Sequence, residues 1–186
     1  EVPTLLRRFP TLYGFAYLPF MLASLIAIAR MKDGHLLTAQ SVGLYYVVWV
    51  FVATKFTDVG GLMIGVPFGK HKIAPTISPA KSWEGCLGGL ATSAGASALF
   101  AWLMRDVFDI NFMVPWKAAV LALPIAMLSI PSDLIESVFK RLAGAKDSGA
   151  TIPGIGGALD LIDSMVLTSP VALILLSYFL EWAKRG

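Results

Sequence analysis

The chain has 186 residues, 56% of them hydrophobic and only 15% charged, with a mean hydropathy of +0.72 that is too high for a water-soluble domain of this size. The formal charge of +3 does not indicate nucleic acid, because the basic residues are scattered over short loops between apolar runs and form no single stripe. One cysteine, Cys86, excludes an internal disulfide and a cysteine-based metal cluster. With Gly85 and Gly88 close by in the chain, it reads as a small packing residue.

The chain opens at Glu1, and its first residues lack the charged head, apolar stretch and small-residue cleavage site of a signal peptide. A further N-terminal portion is therefore expected. A membrane-spanning helix takes about 20 mostly apolar residues, and about five such runs follow, over 11–29, 36–56, 84–104, 116–138 and 158–182. A polar stretch rich in Gly and Pro, 57–83, separates the second run from the third, and its first part reads as a short or broken helix. A second polar stretch, 139–157, separates the fourth from the fifth. Neither shows strand alternation, so the expected fold is all-α, a polytopic integral membrane protein over residues 1–186 with its site between the last helices and these two loops. Arg7, Arg8, Lys70, Lys72, Lys81, Lys140, Arg141 and Lys146 fall on the side of the two long loops. Arg30, Lys32, Arg105, Lys117, Lys184 and Arg185 fall on the other, and the bias places the loops in the cytoplasm.

The fourth run ends in a polar stripe. Asp133, Glu136, Ser137, Lys140 and Arg141 recur at three- and four-residue spacing and share a helical face. The fifth run opens with Asp160, Asp163 and Ser164 on similar spacing. Acidic residues at membrane depth usually face a partner, a metal or an aqueous cavity. Carboxylates from two helices suit magnesium, which takes one or two of them and completes its shell with water and substrate phosphates. His35 and His71 have no ligand partner at helical spacing and read as loop residues.

Between the acidic runs, residues 144–157 include Lys146, Asp147 and the pair Gly156–Gly157. Glycines let backbone N–H groups approach a phosphate, and a helix N-terminus favours an anion. With Lys140 and Arg141 on one side and Asp160 and Asp163 on the other, the segment carries the equipment of phosphoryl and nucleotidyl transfer. The earlier loop adds Asp58, Lys81 as a phosphate contact, Ser82 as a helix cap and Glu84 as a first-turn acid complementing the helix dipole.

These residues resemble the phosphatidate cytidylyltransferase, or CDP-diacylglycerol synthase, family. Its signature, approximately S-x-x-K-R-x4-K-D-x-G, then P-G-H-G-G, then D-R-x-D-S, is matched by Ser137, Lys140, Arg141, Lys146, Asp147, Gly149, Pro153, Gly154, Gly156, Gly157, Asp160, Asp163 and Ser164. A block similar to S-P-x-K-T-W-E-G runs from Ser78 to Gly85, and one similar to D-T-G-A-Y from Asp58 to Leu62. The sequence departs from the family at Ile155, where the family has histidine, and at Leu161, where it has arginine.

The resemblance implies CTP and phosphatidate as substrates and CDP-diacylglycerol and pyrophosphate as products. It implies Asp133, Asp160 and Asp163 as holders of magnesium and of any second cation, and Lys81, Lys140, Arg141 and Lys146 as phosphate ligands. Ser137, Asp147, Asp58, Gly156 and Gly157 would position substrate. It implies further membrane helices ahead of this catalytic region, membrane lipids as surroundings, a bacterial inner-membrane location with a cytoplasmic site, and, on the resemblance alone, a homodimer. The headgroup would enter a polar cavity between the fourth and fifth spans. A CTP-dependent polyprenol or lipid kinase would use much of the same equipment, and an ion-coupled transporter would use the intramembrane acids alone.

Overall fold

A computed structural model describes residues 18–31, 39–74, 78–108, 113–142 and 164–185. Five helices stand in it: α1 (Leu18–Ala29), α2 (Ala39–Phe68), α3 (Trp83–Phe108), α4 (Pro115–Leu142) and α5 (Met165–Arg185). Between α2 and α3 lies a hairpin of β1 (Lys72–Ala74) and β2 (Ser78–Ser82). Among the described residues, α2 from Val42, α3, and α4 as far as Ile135 are long and apolar enough to cross a membrane, and α1 and α5 contribute shorter apolar stretches. The all-α, multi-pass membrane architecture holds. Large apolar side chains such as Phe20, Ile26, Val66, Leu99 and Val107 lie exposed on the outside of the bundle, where a bilayer rather than water is the fitting surround.

The polar stretch after the second run is organised differently from the expectation. Helix continues without a break from Thr57 through Gly60 and Gly61 to Phe68. The reason is close packing. α2 and α3 run antiparallel, and small residues face one another along the seam, letting the backbones approach as small-residue motifs do in lipid. A Cβ on Gly85 would lie 2.8 Å from Gly61 O, and one on Gly89 2.6 Å from Thr57 O. Hydroxyls sew the same seam: Ser93 Oγ donates to Ala53 O at 2.7 Å, and Thr92 Oγ1 lies 2.9 Å from Phe56 O.

The second difference is the hairpin itself, which period-two patterning misses because its strands are short and Pro79 interrupts one of them. Lys72 pairs with Ser82 and Ala74 with Ser78, with a register shift between them. Two strands alone are marginal, so the hairpin depends on its attachments. Trp83 N donates to His71 O at 3.0 Å, and the Glu84 carboxylate accepts from His71 N at 3.2 Å and meets His71 Nδ1 at 2.6 Å. His71 is thus half of a clasp, and Glu84 does more than complement a dipole.

The core lies in the bundle. Tyr45, Tyr46 and Trp49 of α2 are fully buried with Met21, Ile28, Met113, Ile125 and Leu176. Tyr45 packs on Phe100 and Phe108, with ring centroids 5.2 and 5.6 Å away. At the end of the bundle away from the hairpin, Lys117 Nζ stands 5.6 Å from the ring centres of both Phe179 and Trp182, an aromatic and basic fringe of the kind found at a membrane interface.

Candidate active site

Where α2, α3, α4 and β2 meet, a cavity of about 340 Å³ opens. α2 contributes Thr57, Asp58, Gly61 and Leu62, the hairpin and start of α3 contribute Ser78, Lys81, Ser82, Gly85 and Cys86, and α4 contributes Ile130 and Asp133. The glycine seam makes the cavity possible, since Gly61 and Gly85 leave its floor as bare backbone. Cys86, expected to be a packing residue, is half-buried and lines the wall.

The hairpin delivers Lys81 to α4. Its ammonium donates to Asp133 Oδ2 at 3.0 Å and to Ile130 O at 3.1 Å, across a sequence separation of 52 residues for the carboxylate. Both side chains are about one-fifth exposed, at 22% and 21%, so the pair is partly shielded and still open to the cavity. Two residues earlier on α4, Pro131 withholds one backbone donor from the helix. Ser82 caps α3 as expected, its Oγ accepting from Gly85 N at 3.2 Å. Ser137, one turn beyond Asp133, donates its hydroxyl back to Asp133 O at 2.8 Å.

Asp58 of α2 lines the same cavity. Lys55, one turn earlier on α2, meets Asp58 Oδ2 at 3.4 Å and donates to Ser164 Oγ at 3.0 Å, tying the start of α5 to α2. Among the described residues the polar cavity is walled by the second, third and fourth spans and the hairpin, and α5 joins through Ser164; the segment between the fourth and fifth spans, 143–163, lies outside the described residues. Lys55 was absent from the sequence-derived set, since an isolated lysine in an apolar run carries no spacing signal of its own. Lys140 and Arg141 lie within the last turn of α4. Asp160, Asp163, Lys146, Asp147, Gly156 and Gly157 lie outside the described residues.

The donor set at the cavity is one of hard oxygens: two carboxylates, Asp58 and Asp133, with the hydroxyls of Thr57, Ser78 and Ser82. Such a set fits magnesium, which needs few protein carboxylates when substrate phosphates complete its shell. Among the described residues no group of three His, Cys, Asp or Glu side chains gathers to form an all-protein metal cage. The lysine beside the carboxylates matches a phosphate-bearing substrate. An ammonium has three donors, and the protein contacts given above take two of those on Lys81.

Fold and cavity together define a multi-pass membrane protein with a charged, oxygen-rich cleft at one end of its helix bundle. Residues 4–179 match the model of the cytidylyltransferase family, and the chain belongs to that family. It is 38% identical over 154 residues to a phosphatidate cytidylyltransferase of Staphylococcus saprophyticus, covering 82% of this chain and 57% of that protein. It is 37% identical over 162 residues to the Haemophilus influenzae protein of the same name, covering 86% of this chain and 54% of the other. A phosphatidate cytidylyltransferase of Mycobacterium bovis is 39% identical over 135 residues, or 69% of this chain and 41% of its own length. The chain spans about half the length of the curated relatives it matches.

Proposed function

We propose that this chain carries the reaction centre of a membrane enzyme that transfers the cytidylyl group of CTP to phosphatidate. A phosphate oxygen of phosphatidate attacks the α-phosphorus of CTP, the bond from that phosphorus to the β-phosphate bridging oxygen breaks, and pyrophosphate leaves, giving CDP-diacylglycerol. The observation that carries the reading is the cavity in which Lys81, Asp133 and Asp58, drawn from three separate segments, converge beside the membrane-spanning helices. The relatives' names support the choice of substrates.

No covalent intermediate is needed, so the protein's work is to position two anions and offset their repulsion. Lys81 binds a phosphate oxygen while Asp133 holds its ammonium in place. Lys140, Arg141 and Lys146 add positive charge, and the Gly156–Gly157 backbone offers N–H donors. Asp133, Asp160 and Asp163 would hold magnesium, Asp58 adds a second carboxylate to the cavity lined by Asp133, and Ser137 and Asp147 support the substrate-binding loop. When bound, the ion offsets charge on the triphosphate and on the departing pyrophosphate. The lipid tails stay in the bilayer, and the reaction faces the cytoplasm of a bacterial inner membrane.

Radiolabelled CTP tests the reading. Label in the α-phosphate is expected to enter the lipid in the presence of phosphatidate and magnesium, to stop in excess EDTA and to resume when magnesium is restored. Entry of γ-label instead would mean a lipid kinase, and no lipid label from either position would overturn the proposal.

A further inference from the structure

Lys55 lies near the middle of α2, with 21% of its side chain exposed, inside a segment apolar enough to span a membrane. A cation at that depth is costly and is ordinarily retained for a partner. The ammonium has at least two: Asp58 Oδ2 at 3.4 Å and Ser164 Oγ at 3.0 Å. Asp58 lines the cavity, whereas Lys55 is not among the lining residues. The ammonium thus contacts a wall residue of the site, the Asp58 carboxylate. Ser164 is fully buried, and its carbonyl accepts from Thr168 Oγ1 at 2.9 Å, so the contact is made to the packed entry of α5.

We propose that Lys55 is a positioning residue, a cationic staple that fixes the entry of α5 against α2 and holds the Asp58 carboxylate at the cavity wall. Two features separate this from ordinary packing. An apolar side chain of similar length would fill the same space but would neither pair with Asp58 nor donate to Ser164 Oγ, leaving a partly shielded carboxylate without this counter-charge. The hydroxyl comes from the turn that leads into α5 and the carboxylate from α2, so a single ammonium bridges the two segments. Covalent geometry extends the consequence, because Ser164 directly follows Asp163 in the chain and neighbouring Cα atoms are held about 3.8 Å apart. Fixing Ser164 fixes the anchor of the D-x-x-D-S segment.

The kinetic part of the test rests on the proposed reaction, so it is paired with a measurement that does not. In Lys55→Met, hydrogen exchange of the α5 amides Met165 to Thr168 should quicken relative to those of Leu173 to Leu176, and Ser164→Ala should have the same effect. Cytidylyl transfer by Lys55→Met should fall at least tenfold in kcat, with KM for CTP and for phosphatidate within threefold of wild type. Lys55→Arg should restore both readouts to within threefold, and the Lys55→Met/Ser164→Ala double variant should be no slower than the slower single variant. Unchanged exchange in Lys55→Met, or losses that multiply in the double variant, would overturn the staple. A loss confined to KM for CTP would also overturn it, since it would make Lys55 a substrate contact. If Lys55→Met does not fold, Ser164→Ala decides by the same exchange readout. A wild-type protein that transfers nothing while its exchange still responds to the variants would remove the proposed reaction and leave the staple standing.

Discussion

Gly85 and Gly95 sit on the same helix and make opposite predictions. A Cβ at Gly85 would meet Gly61 O at 2.8 Å and Gly65 Cα at 3.0 Å, both backbone atoms that cannot swing aside, whereas one at Gly95 meets nothing within 4 Å. Gly85→Ala should therefore force α2 and α3 apart, at a cost of about 1–3 kcal/mol. Gly95→Ala should stabilise the protein by about 0.5–1 kcal/mol, by removing helix-interior glycine where there is room. Thermal unfolding in detergent checks both, and a neutral Gly85→Ala would mean that the seam is looser than the geometry states. At this scale much was legible in advance. Ser82 reads as a cap from its place before Trp83, and Lys81 and Asp133 stand out as charges beside apolar runs. Lys55 was not legible, because its role depends on Ser164, 109 residues away, and no local pattern announces a partner at that distance.

The hairpin is the element that turns a charged loop into part of a site. Its second strand carries Lys81 to Asp133, and its base is fastened to α3 by Trp83, His71 and Glu84. In Glu84→Gln the side chain keeps its size but loses the charge that attracts both the His71 N–H and the imidazole. Hydrogen exchange at the Trp83 amide should then quicken while that at Ala101, far along the same helix, stays as in wild type. Equal exchange at Trp83 in the two proteins would mean that the hairpin is held by something other than this clasp. Sequence patterning identified five helices with limits that agree to within several residues over most of their described ends. It failed for the stretch after Thr57, where glycines that break isolated helices are tolerated because α3 covers them. It failed again for β1 and β2, which are too short to show alternation.

Across the whole molecule, the two ends of the bundle have different characters. One end gathers Asp58, Lys81 and Asp133 around a cavity, while the other carries Lys117 among aromatic rings and the exposed Asp106 near the end of α3. The family motifs foretold which end would be charged. Contacts between helices distant in sequence, α2 with α4 among them, decide where the described walls of the cavity stand. The proposed cytidylyl transfer takes place in this cavity, and Asp133 is the residue at which that is tested. Asp133→Asn keeps the volume of the side chain while removing the charge that pairs with Lys81 and would hold magnesium. At about 1.4 kcal/mol per tenfold in rate, loss of several kcal/mol of transition-state stabilisation should lower turnover at least a hundredfold. The most direct measurement is CDP-diacylglycerol formation by equal amounts of folded, membrane-inserted wild type, Asp133→Asn and Asp106→Asn. A hundredfold or greater loss is expected for Asp133→Asn beside near wild-type turnover for Asp106→Asn, and an Asp133→Asn enzyme within tenfold of wild type would remove Asp133 and its cavity from the reaction.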